Sequence, residues 1–200
     1  MAGAAPQVSP VLAPRLASFR LVVLLTAFSV SVGLRSAVGG AGVAQSSVAG
    51  LVFAGCLLLM SGAAGTRVTV SGRALLAGLA GGALVSAPVA LSQALSFRPL
   101  HDAAGLWTWA LVVTVVATAE ELFLRGALYD AAQAWAGSVA AVLLGAAAFA
   151  LLHVPLYGWH VLPLDLAVGI VLGGLRAYTG TVTAPAITHV VADVAGWFLR

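Results

Sequence analysis

The run TVVATAEELFLRGALYDAAQAW, Thr114 to Trp135, places both glutamates of a 200-residue chain side by side in a segment that otherwise reads as membrane-spanning. How that run is taken decides the fold. The whole chain is 62% hydrophobic and only 8% charged, with a mean hydropathy of +1.09. A water-soluble domain needs more charge than this to cover its surface. The expectation is therefore an all-α, polytopic membrane helical bundle. With roughly 20 apolar residues per span, the length allows about seven transmembrane helices, within a range of about six to eight. Residues 1–200 are expected to form a single integral membrane domain, with no room for a separate soluble one.

Apolar runs, punctuated by Gly, Pro and Arg, divide the chain into spans near 19–38, 47–64, 74–97, 106–135, 137–154, 162–178 and 182–199. Pro88 is expected to kink the third, and Pro155 to end the fifth. The first span, with Arg15 and Arg20 before its apolar core, resembles a signal peptide with a conceivable cleavage site after Ala44. Because further spans follow it, it is expected to be a retained first helix. The small-residue stretches GLAGGA and GIVLGG should let helices approach closely.

The net charge of +3 comes from nine scattered arginines and no lysine, so no basic patch exists to follow phosphates and no nucleic-acid partner is expected. Cationic loops orienting the helices explain the bias. A cytoplasmic N-terminus would put Arg15, Arg20, Arg67, Arg73, Arg125 and Arg176 inside, and Arg35, Arg98 and Arg200 outside. The expected location is the cell membrane, as a multi-pass protein. Cys56, alone in an apolar run, excludes an intramolecular disulfide and reads as packing.

Ionisable groups inside a bilayer cost about 2.5 to 3.5 kcal/mol even on lenient insertion scales, so each is a candidate for function. Those of the last four spans are Glu120, Glu121, Arg125, His153, Asp165, Arg176, His189 and Asp193; none is placed deep in the first three. Glu121 and Arg125 are four apart, on one helical face and in the favourable order for an ion pair. Glu120 points about 100° away. This spacing predicts a division of labour, with Glu121 neutralised by Arg125 and Glu120 left free as a general base.

Phe149 and His153 share a face just before Pro155. A turn near Ala136 would bring Glu120 and His153 to nearly one level on opposite arms of a hairpin. His189 and Asp193 share a face of the last span, although counting through short turns leaves His189 about 9 Å from the level of His153. Asp165 in a first turn and Arg176 in a last turn read as partners of helix dipoles. His101 and His160, in expected loops, carry no role.

These groups support three chemistries. Glu120 with His153 could activate water for attack on a peptide carbonyl while His189 stabilises the oxyanion. His153, His189 and Asp193 could ligate zinc. The same buried residues could instead form a proton path in a transporter or channel. No HExxH motif points to a conventional zinc protease.

EELFLR, FALLH and HVVAD together resemble the EExxxR, FxxxH and HxxxN/D motifs of the CPBP intramembrane proteases, the CAAX protease and bacteriocin-processing family, which includes the type II CAAX-prenyl endopeptidases. The resemblance covers about the C-terminal half, with 106–199 carrying the motif core. It implies a glutamic endopeptidase with Glu120 and His153 activating water and His189 and Asp193 at the oxyanion. Glu121, Arg125 and Phe149 would structure the site. No cofactor is implied, zinc remaining the alternative. The implied substrate is a membrane-associated protein or peptide in the lipid bilayer: a lipidated tail, a C-terminal sorting tail or a leader peptide. Asp193 departs from the prenyl-protease pattern, which has Asn there.

Overall fold

The computed structural model describes residues 12–39, 43–94 and 105–199, which are helices joined by short loops, with no strand among them. Helices α1 (Leu12–Val38), α2 (Val43–Ala63) and α3 (Gly72–Ala94) precede α4 (Leu106–Glu121). A π-helical turn, Leu122–Leu128, joins α4 to α5 (Tyr129–Tyr157). A 3-10 turn, Trp159–Val161, leads to α6 (Leu162–Thr179), and α7 (Thr183–Leu199) closes the bundle. The expected positions of Arg98, His101 and Arg200 lie outside the described residues.

Among the described residues, five stretches are long and apolar enough to cross a membrane. One of them, Leu106–Tyr157, has 52 residues. At about 1.5 Å per residue it would be more than twice the thickness of a hydrocarbon core. It folds back on itself at Ala136 (φ −143°, ψ 15°) and Gly137 (φ 85°, ψ 177°). Only a residue without Cβ takes the second conformation without strain. The hairpin turn therefore falls where the sequence placed it. Counting this stretch as two crossings and adding the 17-residue α7 gives the seven-helix membrane bundle. Leu59, Leu76 and Val139 are more than 70% exposed, as lipid-facing side chains are.

Pro88 lies inside α3, as expected. One helix end differs from expectation. Pro155 does not end α5, which runs on to Tyr157. A proline removes only its own N–H from the ladder, and here the last turn still closes through the Gly158 N–H donating to the Val154 carbonyl at 2.8 Å.

The small residues work as close-contact surfaces. The broadest interface is α3 on α7, where a Cβ added to Gly81 would lie 2.5 Å from Thr188 Oγ1 and one on Gly82 would lie 2.6 Å from Val191 Cγ1. On the other side α6 meets α5, and a Cβ on Gly169 would sit 2.7 Å from Ala146 Cα. Between these pairs lies a buried core that includes Phe28, Phe53, Leu57, Phe123, Leu152 and Leu172. Phe28 and Phe123 stack at 5.2 Å, tying α1 to the π turn.

One end of the bundle gathers arginines onto carbonyl oxygens. Arg20 donates to Ala64 at 2.7 Å, and Arg73 donates to Tyr178 at 2.7 Å. Thr181 and Thr183 both donate to the Thr69 carbonyl, at 2.7 and 2.9 Å. The α2–α3 loop and the α6–α7 turn are thus laced together at that end.

Candidate active site

The two glutamates end α4, immediately before the helix widens into its π turn. Such turns leave backbone groups off the regular ladder and recur at functional sites. Here the Arg125 carbonyl is taken by Arg176 Nε at 2.8 Å, and Arg176 Nη2 also holds Asp130 at 2.8 Å. Gly126 allows the turn to press on Thr66, whose side chain a Cβ would strike. Arg176 thus anchors the turn through two hydrogen bonds, beyond the dipole role its position suggests.

Glu121 is fully buried and serves two donors with one oxygen. Arg125 Nη1 approaches Oε1 at 2.7 Å and His189 Nδ1 approaches it at 2.9 Å. Because a carboxylate only accepts, His189 carries its proton on Nδ1 and turns Nε2 toward Asp193 Oδ2, 3.7 Å away. Arg125 extends its fork to the Gly169 carbonyl at 3.1 Å and covers the Phe149 ring at 4.9 Å. The Glu121–Arg125 pairing expected from spacing is present, and it reaches a third helix.

Phe149 is the hub of the cluster. Its ring meets the His153 ring edge-on at 4.7 Å and the His189 ring at 5.2 Å. The offset between the two histidines is therefore spanned by an aromatic ring. His153 Nδ1 donates to the Phe149 carbonyl at 3.0 Å and lies 3.5 Å from Asp165 Oδ2. Neutral His153 then presents Nε2 as its acceptor. Asp165, read from sequence as a dipole partner only, faces a site histidine.

Glu120 corrects the division of labour. It is 3% exposed and is not left free: Arg35 of α1 reaches its Oε1 with Nη1 at 3.2 Å. The sequence reading puts Arg35 on the outer side, near the end of the first span, and places no deep charge in the first three spans. The structure differs because α1 is rotated so that this guanidinium faces Glu120 across the bundle, a contact between distant helices. The guanidinium also lies over the Phe53 ring at 4.8 Å. The signal was present in sequence, since an arginine inside an apolar run is a functional candidate by the same rule that selected the glutamates.

Glu120 is ten residues from Asp130 along the helix. That places it about 15 Å from the arginine-rich end, near the middle of a hydrocarbon core about 30 Å thick. A cavity of about 330 Å³ opens between α1 and α5, lined by residues including Leu25, Phe28, Val32 and Leu152. A smaller one, about 100 Å³, lies between α1 and α2 and reaches Arg35 and Cys56.

Among the described residues, no three His, Cys, Asp or Glu side chains come together as a metal-holding group. His153, His189 and Asp193 are not gathered as a ligand set. Each histidine directs Nδ1 to an internal acceptor, Phe149 O for one and Glu121 for the other. Asp193, with a side chain 38% exposed, sits at the edge of the cluster.

In comparisons with known proteins, residues 102–195 match the family model for Rce1-like type II CAAX prenyl endopeptidases. No curated protein and no solved structure matches the chain.

Proposed function

We propose that this chain is a membrane protease of the type whose family model residues 102–195 match, the Rce1-like type II CAAX prenyl endopeptidases, and that it hydrolyses its substrate by a glutamate-dependent mechanism. The observation that carries the proposal is the buried cluster itself. Two carboxylates and two imidazoles meet near mid-membrane, each held by a named partner.

Glu120 is the general base. Its carboxylate takes a proton from water, the water oxygen attacks the peptide carbonyl carbon, and the carbonyl π electrons move to oxygen. The proton then passes to the departing nitrogen as the C–N bond breaks. His153, with Nδ1 tied to Phe149, orients that water through Nε2. His189 donates from Nε2 to the oxyanion when its ring carries both protons, and Glu121 fixes the ring through Nδ1. Glu121, Arg125 and Phe149 position the histidines. No metal enters any of these steps.

The substrate is a membrane-associated protein or peptide. A lipidated C-terminal tail, a C-terminal sorting tail and a bacteriocin-like leader all fit a site at this depth. The arginine-rich end, with Arg20, Arg73 and Arg176, is the cytoplasmic one on the positive-inside rule, which supports a multi-pass protein of the cell membrane with a cytoplasmic N-terminus. Arg125 no longer counts toward that balance, being 1% exposed within the site.

The test is a comparison of membrane-protein termini in cells producing the wild-type chain or Glu120→Gln. At least one protein should change terminus only with the wild type. Equal processing by the variant refutes the mechanism.

A further inference from the structure

We propose that Arg35 is a catalytic residue of this site, the cation that stabilises the oxyanion in place of the donor that Asp193 cannot provide. The inference rests on the proteolytic reading above and adds a residue from α1, outside the segment 102–195 that the family model covers.

Three observations carry it. The first is position: Arg35 Nη1 lies 3.2 Å from the carboxylate that takes the water's proton. It therefore stands beside the group that activates the attacking water. The second is chemistry at the third motif, where an ionised Asp193 accepts hydrogen bonds but donates none. Left to itself, that position would repel a developing oxyanion. The third is access. The Arg35 side chain is 16% exposed and lines the cavity between α1 and α2, whereas Arg125, the other guanidinium of the cluster, is sealed at 1%.

Charge flow makes the assignment economical. Before reaction, the negative charge beside Arg35 sits on Glu120. When Glu120 takes the proton from water and the water oxygen bonds to the carbonyl carbon, that charge leaves the carboxylate and appears on the former carbonyl oxygen. A guanidinium has five N–H donors in a fork, so it can turn from one oxygen to the other without leaving the site. Arg35 stays protonated throughout, and its partner moves. When the C–N bond breaks and Glu120 gives up its proton, the original pair is restored.

The experiment compares the full-length chain with Arg35→Ala, Asp193→Asn, the Arg35→Ala/Asp193→Asn double variant and Glu120→Gln. Termini of the membrane proteome identify the processed protein, and its terminal peptide serves as the probe for rates in liposomes. Arg35→Ala should lower kcat by about 10² to 10³, the usual cost of losing one oxyanion donor, while KM changes by less than about threefold. In the double variant the new amide should recover at least about tenfold of that loss.

Full activity of Arg35→Ala overturns the proposal. So does a double variant no faster than Arg35→Ala, because Arg35 would then act only as the counter-charge of Glu120. If Arg35→Ala does not accumulate, Arg35→Lys and Arg35→Lys/Asp193→Asn replace it, and the same recovery is required. Unchanged processing by Glu120→Gln instead refutes the proteolytic reading, and this proposal falls with it.

Discussion

Glu121→Ala should unfold the protein at a markedly lower temperature, and the structure gives the size of the effect. The mutation deletes the acceptor of Arg125 at 2.7 Å and of His189 at 2.9 Å while leaving the guanidinium 1% exposed. Removing one partner of a buried ion pair costs about 3 to 5 kcal/mol. Arg125 keeps its bond to the Gly169 carbonyl and its place over Phe149, so the lower end applies. For a chain of this length, about 3 kcal/mol corresponds to a Tm fall of about 6 to 12 °C.

The assay is loss of helical circular dichroism on heating in detergent. Glu120→Gln provides the contrast, because its remaining amide oxygen still accepts from Arg35. Its Tm should stay within about 3 °C of wild type, about 1 kcal/mol, while cleavage drops by about 10² to 10⁴. A second contrast replaces the buried pair by apolar groups, Glu121→Leu with Arg125→Met. Such swaps restore most of the stability that a single deletion loses. They do not restore cleavage, since His189 has lost the oxygen that fixes its ring. The reasoning fails if Glu121→Ala melts within about 2 °C of wild type, or if the apolar pair is no more stable than Glu121→Ala.

Gly81→Val should part α3 from α7, since even a Cβ there would be 2.5 Å from Thr188 Oγ1; a cost of about 1 to 3 kcal/mol should appear as a lower Tm and poorer accumulation in membranes. Arg176→Ala removes two charge-assisted bonds at the π turn and should cost about 1.5 to 3 kcal/mol in the same assay. Asp130→Asn should cost less than about 1 kcal/mol, because Asp130 is 45% exposed. Dialysis against a chelator should leave cleavage unchanged, and restoration by zinc after a chelator-induced loss would reinstate a metal mechanism.

The parts of this molecule that depend on local spacing were legible in its sequence. The hairpin break was expected near Ala136, in a helical run too long for one crossing, and Gly137 completes it with a φ of 85°. Glu121 and Arg125 pair because four residues make a shared helical face, a relation that survives although the helix passes into a π turn at Leu122. The close-contact glycines were equally plain, since small side chains have few other uses in apolar helices.

What the spacing could not carry are contacts between distant helices. Arg35 and Glu120 are 85 residues apart, and no count through loops fixes the rotation of α1 about its own axis. Asp165 shows the same limit. Its place in the first turn of α6 satisfied the dipole, so nothing local called for the histidine that it faces. The π turn was invisible for a related reason. Its sequence, LFLRGAL, is ordinary for an α-helix, and the bond that holds the displaced carbonyl comes from Arg176 on α6.

Charge balance explains why α1 belongs to the site. Within the family-matching segment, the cluster holds the carboxylates Glu120, Glu121, Asp165 and Asp193. The one guanidinium of that segment in the cluster, Arg125, is committed to Glu121. Asp165 and Asp193 are 19% and 38% exposed, each beside a histidine, and can be partly solvated. Glu120, at 3%, cannot be solvated, and His189 and Arg35 are the cationic groups that bear on it. A buried carboxylate without a counter-charge is among the costliest arrangements in a protein interior. Residues 102–195 alone would leave Glu120 without a guanidinium partner, at the position where the proposed mechanism activates water. Arg35 reduces that penalty, and if the charge it neutralises moves to the substrate as the proposed mechanism requires, the same side chain that lets Glu120 be buried is also the one placed to follow its charge.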